Sequence, residues 1–239
     1  MKGIILAGGS GSRLHPLTKV TSKQLLPIYD QPMIWYPLQT LLIAGIKDIL
    51  IIVAPEKAGE FLYFLGSGKE YGAKFTYEVQ DKPRGLPEAF IIGADFIDDD
   101  SVTMILGDNI FEDDFSEDIK NFKSGGKIFV KEVKDSSRYG VVKFDENNKV
   151  VEIVEKPKEF VSPFANVGLY IYDQRVVEIA KNLKPSDRGE TEITDIHKWY
   201  LAKSELEVGI VKGEWIDAGT IESLHQANNF IANKRKVNN

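Results

Sequence analysis

Three glycines and an arginine, Gly8, Gly9, Gly11 and Arg13, follow directly on the apolar run Lys2-Gly3-Ile4-Ile5-Leu6-Ala7, and Lys23 comes ten residues after Arg13. Glycine tolerates φ > 0 and places no Cβ between its N–H and a ligand, so successive N–H groups in such a loop form a concave anion site. Arg13 and Lys23 add full positive charges to it. The implied chemistry is a grip on phosphates at the end of a buried strand, with an ordinary turn as the plain alternative. Two common phosphate loops are excluded by spacing. Neither Gly3 nor Gly8 leads to the Gly-Lys pair of G-x-x-x-x-G-K-[ST], and Leu14 stands where Gly9-Ser10-Gly11 would need the third glycine of a dinucleotide fingerprint.

Acidic residues that could hold a metal stand at two other strand exits. Asp108 follows the apolar run Val102–Leu106, where a carboxylate suits Mg²⁺, which takes one or two carboxylates together with phosphate oxygens and water. An Asp-Asn pair serves a turn equally well. Asp217, in Trp215-Ile216-Asp217-Ala218-Gly219-Thr220, is placed in the same way, while Thr220 is the better cap for the closing helix. Nothing in the sequence itself brings these two aspartates together. Glu155-Lys156-Pro157 ends a strand, so Lys156 could meet a phosphate and Glu155 a sugar hydroxyl, or the two could form a surface ion pair. Arg188 offers a cation on a loop, and Tyr139-Gly140 a strand start against which a ligand could lie.

The remaining chemistry is thin. His15 lies in the phosphate loop, whereas His197 and His225 fall on predicted helices as surface or packing residues. Trp35-Tyr36 and Phe61–Leu65 read as core or subunit contacts, and Asp98-Asp99-Asp100 and Glu112-Asp113-Asp114 as solvated turns. No nucleophile elbow is visible. The chain has 239 residues, a net charge of −6 and no cysteine, which removes thiol catalysis and Cys-based zinc sites. That acidity argues against a broad nucleic-acid surface. No apolar run approaches the roughly 18 residues of a membrane span. The opening residues do not form a signal peptide either, so a cytoplasmic protein is expected.

To position these residues the sequence predicts strands over 2–6, 48–54, 74–80 and 102–106. Between them it places helices over 32–44, 56–65 and 86–96. The β-branched run Asp48–Ala54 suits a strand buried on both faces. Alternation of this kind gives a largely parallel sheet with helices on both sides and a ligand beyond the carboxyl ends of its strands. The second half predicts strands over 127–134, 140–144, 150–155, 167–172 and 206–211, with the second and third as a hairpin. Helices follow over 175–183, 192–203 and 220–233. The last residues, from Asn233, read as a frayed tail. No linker or repeat interrupts this order.

Assembled in order, LAGGSGSRLHPLT with Lys23, LLPIYDQPMIWYPL, LGDN, RYGVV, EKP, GLYIYD, RGETEITD and WIDAGT closely resemble the glucose-1-phosphate thymidylyltransferases, a family of sugar nucleotidyltransferases. The resemblance covers Lys2 to about Asn233. It implies one α/β domain over 1–239, a three-layer, mostly parallel, Rossmann-like sheet with an appended β-rich sugar lobe. Residues 1–112 would bind nucleotide, and 113–239 sugar. The reaction implied is thymidylyl transfer from dTTP to glucose 1-phosphate with release of pyrophosphate. The sugar-phosphate oxygen would attack the α-phosphorus in line, without a covalent enzyme intermediate. Leu6, Gly8, Gly9, Gly11, Ser12 and Arg13 would hold the triphosphate, with Lys23 beside it, and Gln80, Gly85 and Leu86 the base. Asn109, Tyr139, Gly140, Glu155, Lys156 and Arg188 would hold the sugar phosphate, and Asp108 and Asp217 Mg²⁺. Arg13, Lys23 and Asp108 would be the catalytic charges, and a homo-oligomer is implied.

Several positions depart from the family pattern. Ser12 replaces Thr, Pro87-Glu88 replaces Ala-Gln, and Asn166-Val167 replaces Val-Thr. These bear on base and sugar preference, leaving UTP or another sugar 1-phosphate as the alternative substrate. A non-catalytic nucleotide-sugar regulator is a more distant alternative, and a dehydrogenase the weakest. Longer members continue as helix for about fifty residues past the position of Asn233 and build a regulatory nucleotide site there, so a short form with altered feedback is expected.

Overall fold

Ile4 and Leu6 point to one side of the first strand and Ile5 and Ala7 to the other, and all four are buried. This strand is the middle of the fold. The structure, a computed structural model, describes residues 1–237. Its strands are β1 (Lys2–Ala7), β2 (Pro27–Ile28), β3 (Gln31–Pro32), β4 (Asp48–Val53), β5 (Lys74–Val79), β6 (Val102–Leu106), β7 (Asn109–Phe111), β8 (Gly126–Glu132), β9 (Gly140–Phe144), β10 (Val150–Glu155), β11 (Phe164–Tyr172), β12 (Leu206–Ile210) and β13 (Trp215–Asp217). The α-helices are α1 (Trp35–Ile43), α2 (Ala58–Leu65), α3 (Glu88–Ile92), α4 (Ala94–Ile97), α5 (Ser116–Asn121), α6 (Val176–Lys181), α7 (Ile193–Ala202) and α8 (Ile221–Val237).

β5, β4, β1 and β6 run parallel, with Ile5 level with Ile51 and Ile105. β11 is antiparallel to β6 and to β8, and β12 lies parallel to β8. The sheet forks at β11: its carboxyl half pairs with β6, while Ala165 pairs with Val141 of β9, which carries β10 as a hairpin. One nine-stranded, mostly parallel sheet results. Period-two alternation along the buried strands divides the apolar side chains between its two faces. Helices α3, α4, α6 and α7 cover one face through Phe90, Ile97, Ile179 and Tyr200, and α1, α2 and α5 cover the other through Leu41, Phe61 and Ile119.

A smaller third cluster, including Ile28, Met33, Ile110, Ile216, Ala227 and Ile231, packs beneath α8. It joins the β2–β3 hairpin to the two-stranded sheet of β7 and β13, in which Asp217 lies opposite Asn109. That short antiparallel ladder brings the two ends of the candidate site together.

Several expectations are corrected. The helix predicted from Pro32 begins at Trp35, because Met33 and Ile34 donate their N–H groups to Leu26 and Gln24. Residues 86–96 break into α3 and α4 at Gly93, where a Cβ would press on Leu50. The tail is not frayed from Asn233: α8 runs to Val237, tied by Lys234 to Glu112 at 2.8 Å and by Arg235 to Asp30 at 3.2 Å. Asn238 and Asn239 lie outside the described residues. Nor are Glu112 and Asp113 merely solvated. Asp113 accepts the N–H groups of Lys212 and Gly213, and Glu112 accepts that of Glu214, so together they clamp the loop leading into β13. The short elements β2, β3, β7 and α5 carry no period long enough to be read from sequence.

Phe90 is fully buried and meets Tyr172 edge-on at 5.5 Å between ring centroids. Phe90→Ala is expected to cost about 3–5 kcal/mol in equilibrium urea unfolding, with the cavity contributing part of the loss.

Candidate active site

The loops that leave β1 and β6 open a cleft of about 570 Å³ at the carboxyl end of the parallel strands. Leu6 and Leu106, at the carboxyl ends of those strands, form part of its floor. Asp108 stands just beyond β6 and is buried. Lys23 donates to its Oδ2 at 2.5 Å, and Asn109 donates from Nδ2 to its Oδ1 at 3.0 Å. Burial alone would raise the Asp108 carboxyl, but the Lys23 charge and hydrogen bond outweigh it and hold the group below its usual range.

Asp217 reaches the same corner from β13. The register of β13 on β7 places it there, and the Ala218 N–H donates to the Asp108 carbonyl at 2.9 Å. Its own Oδ1 accepts from the Gly219 N–H at 3.0 Å. Burial and the neighbouring Asp108 charge raise its pKa to about 6. A Cβ added at Gly219 would lie 2.8 Å from Asp217 Oδ1, 2.9 Å from Arg13 Nη2 and 3.4 Å from Asp108 Oδ2. The bare backbone thus lets two carboxylates and a guanidinium converge on one point. Thr220 caps α8 as expected, accepting from the Ser223 N–H at 3.2 Å.

Arg13, Lys23 and Gly9 line the cleft. Gly8, Gly11 and Ser12 lie behind them. Gly11 has φ 64° and packs its backbone against Lys23 and Thr18, while Gly8 leaves room for the Gln80 side chain. His15 is exposed and outside the lining.

On another wall Gln80, Gly85 and Leu86 line the cleft. Glu88 Oε2 accepts from Gln80 Nε2 at 2.8 Å and from the Arg84 N–H at 3.2 Å, which fixes both the amide and the loop. Gly85, at φ 117°, forms a bridge with Thr191, where a Cβ would run into the Thr191 carbonyl. The Thr191 N–H donates to the Arg84 carbonyl at 2.9 Å, so the loop carrying Gly85 is stitched to the loop carrying Arg188.

Tyr139, Gly140, Glu155, Lys156 and Arg188 line the opposite end. Glu155 Oε2 is buried without a hydrogen-bond partner, and burial together with the Glu192 charge raises this carboxyl. Lys156 sits at φ 41°, a strained conformation for a side chain that precedes proline, and its N–H donates to the Tyr139 carbonyl. Arg188 is held by Glu192 at 3.1 Å. Asn109 is also in the wall, with its Oδ1 accepting from Trp215 Nε1 at 2.7 Å and from the Gly168 N–H.

Cleft residues missed by sequence reasoning include Gln24, Arg138, Asn166, Thr191 and Trp215. Arg138, Thr191 and Trp215 stand inside the motifs already singled out, and Asn166 is one of the departures from the family pattern. Gln24 gave no signal.

Residues 2–234 match the family model described as Nucleotidyl transferase. The chain belongs to that family. This nucleotidyl transferase is 50% identical over 245 residues to a curated glucose-1-phosphate thymidylyltransferase of Neisseria meningitidis, covering all of this chain and 85% of that one. It is 49% identical to the thymidylyltransferase of Mycolicibacterium smegmatis, over 97% and 82% of the two chains. Among solved structures, a glucose-1-phosphate thymidylyltransferase of Bacillus anthracis crystallised with sucrose superposes with a TM-score of 0.91 at 49% identity, covering 96% and 94%. A UDP-glucose pyrophosphorylase complexed with UDP-glucose gives 0.85 at 24% identity, a likeness of fold alone. The mostly parallel nucleotidyltransferase fold expected from sequence is therefore the fold of this enzyme. Among the described residues no helix is long and apolar enough to cross a membrane.

The raised Asp217 carboxyl makes a pH-dependent prediction. A group whose folded pKa lies above its unfolded value favours the fold below the unfolded value and loses that contribution as pH rises through the folded one. In metal-free buffer Asp217→Asn is accordingly expected to raise the thermal midpoint at pH 7.5 and to leave it nearly unchanged at pH 4, read by differential scanning calorimetry.

Proposed function

We propose that this chain transfers a thymidylyl group from dTTP to glucose 1-phosphate, giving dTDP-glucose and pyrophosphate. The observation that carries the reading is a single cleft with two chemically distinct ends, in a chain half identical throughout its length to curated thymidylyltransferases. Arg13, Lys23, Asp108 and Asp217 stand at one end, and Glu155, Lys156 and Arg188 at the other.

The reaction forms a bond from a sugar-phosphate oxygen to the α-phosphorus and breaks the bond from that phosphorus to the β-phosphate oxygen. Pyrophosphate leaves with the electron pair, and no protein nucleophile is needed. The protein's part is positioning and fixed charge. Arg13 offsets charge on the departing pyrophosphate, with the N–H groups of the glycine loop beside it. Lys23 contacts phosphate beside it. Gln80, Gly85 and Leu86 hold the base, with Gln80 fixed by Glu88. Lys156 and Arg188 hold the incoming phosphate, while Glu155, Tyr139, Gly140 and the Asn109 backbone face the sugar.

Asp108 and Asp217 fit a hard divalent cation. Among the described residues no third acidic or histidine ligand joins them, which suits a metal completed by phosphate oxygens and water. Asp108 and Asp217 would hold Mg²⁺, which when bound would supply positive charge that lowers the repulsion between the two anions. The reading includes a homo-oligomer, for which the exposed Leu62 and Tyr63 on α2 are the candidate surface, and a cytoplasmic setting where both substrates occur.

Pyrophosphate release with Mg²⁺, measured for dTTP, UTP, CTP and GTP against glucose 1-phosphate and its epimers, tests the proposal. The expected maximum is dTTP with glucose 1-phosphate. Arg13→Ala and Asp108→Ala should each lower kcat by about 10²–10³. A maximum with another pair would keep the chemistry and change the substrates, whereas no release with any pair would sink the enzyme reading.

A further inference from the structure

Behind the sugar end of the cleft lies a polar cluster that the reaction above does not use. His197 on α7 is fully buried, and its ring packs against those of Tyr170 and Tyr172 at 5.6 and 6.2 Å between centroids. Its Nδ1 stands 3.4 Å from Asn166 Nδ2, and its Nε2 has no partner. Asn166 belongs to β11 and is itself buried, yet it lines the cleft. The ladder between β11 and β8 is irregular immediately after Asn166, and an irregularity of this kind re-aims the side chain beside it.

Two buried acceptor oxygens near this point, Glu155 Oε2 and Asn166 Oδ1, lack a hydrogen-bond partner, and the Thr194 hydroxyl, a donor as well as an acceptor, stands beside Glu155. Their side chains surround one spot. A Cβ built on Gly140 would lie 2.7 Å from Thr194 Cγ2, 3.3 Å from Glu155 Oε2 and 3.7 Å from Asn166 Cβ. Buried acceptors are costly unless a donor meets them. The hydroxyls of a sugar supply such donors. An amide adds what a carboxylate lacks, because it is anchored by its nitrogen while presenting its oxygen.

We propose that Asn166, anchored from behind by His197, is a specificity-determining residue that accepts a hydrogen bond from one hydroxyl of the sugar 1-phosphate. His197 is the positioning residue. Burial holds its pKa down at about 3, so the ring is neutral and its Nδ1 is able to accept from the amide. With the amide nitrogen occupied, Asn166 Oδ1 is left for the ligand. The proposal rests on the sugar-phosphate reading above and adds a residue where this chain departs from its family's pattern.

The test measures kcat and KM of the full-length protein with dTTP, Mg²⁺ and glucose 1-phosphate, then with its 2-, 3-, 4- and 6-deoxy analogues. In the unsubstituted protein, one analogue is expected to lose about tenfold in kcat/KM through the hydrogen bond to Asn166. In Asn166→Val that particular penalty should vanish while the penalties of the other three analogues persist. His197→Phe should shrink the same penalty by raising KM for the intact sugar phosphate, with KM for dTTP unchanged. A purely structural role would move all analogues together. Equal penalties in the unsubstituted protein and Asn166→Val would overturn the proposal. Should Asn166→Val fail to fold, an unaltered penalty pattern in His197→Phe would overturn it instead. Absence of any turnover with glucose 1-phosphate in the unsubstituted protein would refute the function and with it this inference, a result distinct from either.

Discussion

Asp108 and Asp217 carry like charges into one buried corner, and much of the surrounding structure is organised around that repulsion. Two unit charges 4 Å apart interact by about 4 kcal/mol at an effective dielectric of about 20. Lys23 offsets part of it from one side and Arg13 approaches from another. Asn109 donates to Asp108 and is itself fixed by Trp215 and the backbone of Gly168. The chain of support continues outward. Glu112 and Asp113 clamp the loop before β13, and Lys234 at the end of α8 holds Glu112. A helix more than one hundred residues along the chain from Asp108 thereby contributes to where that carboxylate stands. Such a corner is poorly matched to a protein core and well matched to a cation or a polyphosphate.

The opposite end of the cleft follows a different logic. There Glu155 and Asn166 present acceptor oxygens without a hydrogen-bond partner, beside the cations of Lys156 and Arg188. One end gathers carboxylates with cations, and the other adds unpartnered acceptors to its charges. That division is what a substrate pair requires when one member is mostly phosphate and the other mostly hydroxyl.

The sheet was legible from the sequence because strands buried on both faces announce themselves. Ile49–Val53 and Val102–Leu106 have few rival readings, and Gly45 and Gly66 end the helices between. The phosphate loop and Asp108 were legible for a related reason, since each stands where an apolar run stops. What could not be read was long-range closure. Asp217 joins Asp108 through a ladder of three pairs between β7 and β13, too short to leave a period. Helix ends failed where a side chain or backbone outside the helix took over a donor, as Gln24 and Leu26 do before Trp35. Gln24 enters the cleft from a one-turn 3₁₀ segment between Lys23 and the motif that begins at Leu25, and its own residue type marks no chemistry.

The bridge between Gly85 and Thr191 joins segments more than one hundred residues apart in sequence, one in the wall of Gln80, Gly85 and Leu86 and the other in the loop of Arg188. Loops that touch only their own ligand are free to change independently, whereas these two share a backbone contact that leaves no room for a side chain. On the proposed assignment of these walls, recognition of the two substrates is mechanically linked. A lineage or an engineer altering the Gly85 loop would also reposition Arg188. Changes in nucleotide choice and in sugar choice should accordingly tend to arise as compensated pairs across this seam, and not one at a time.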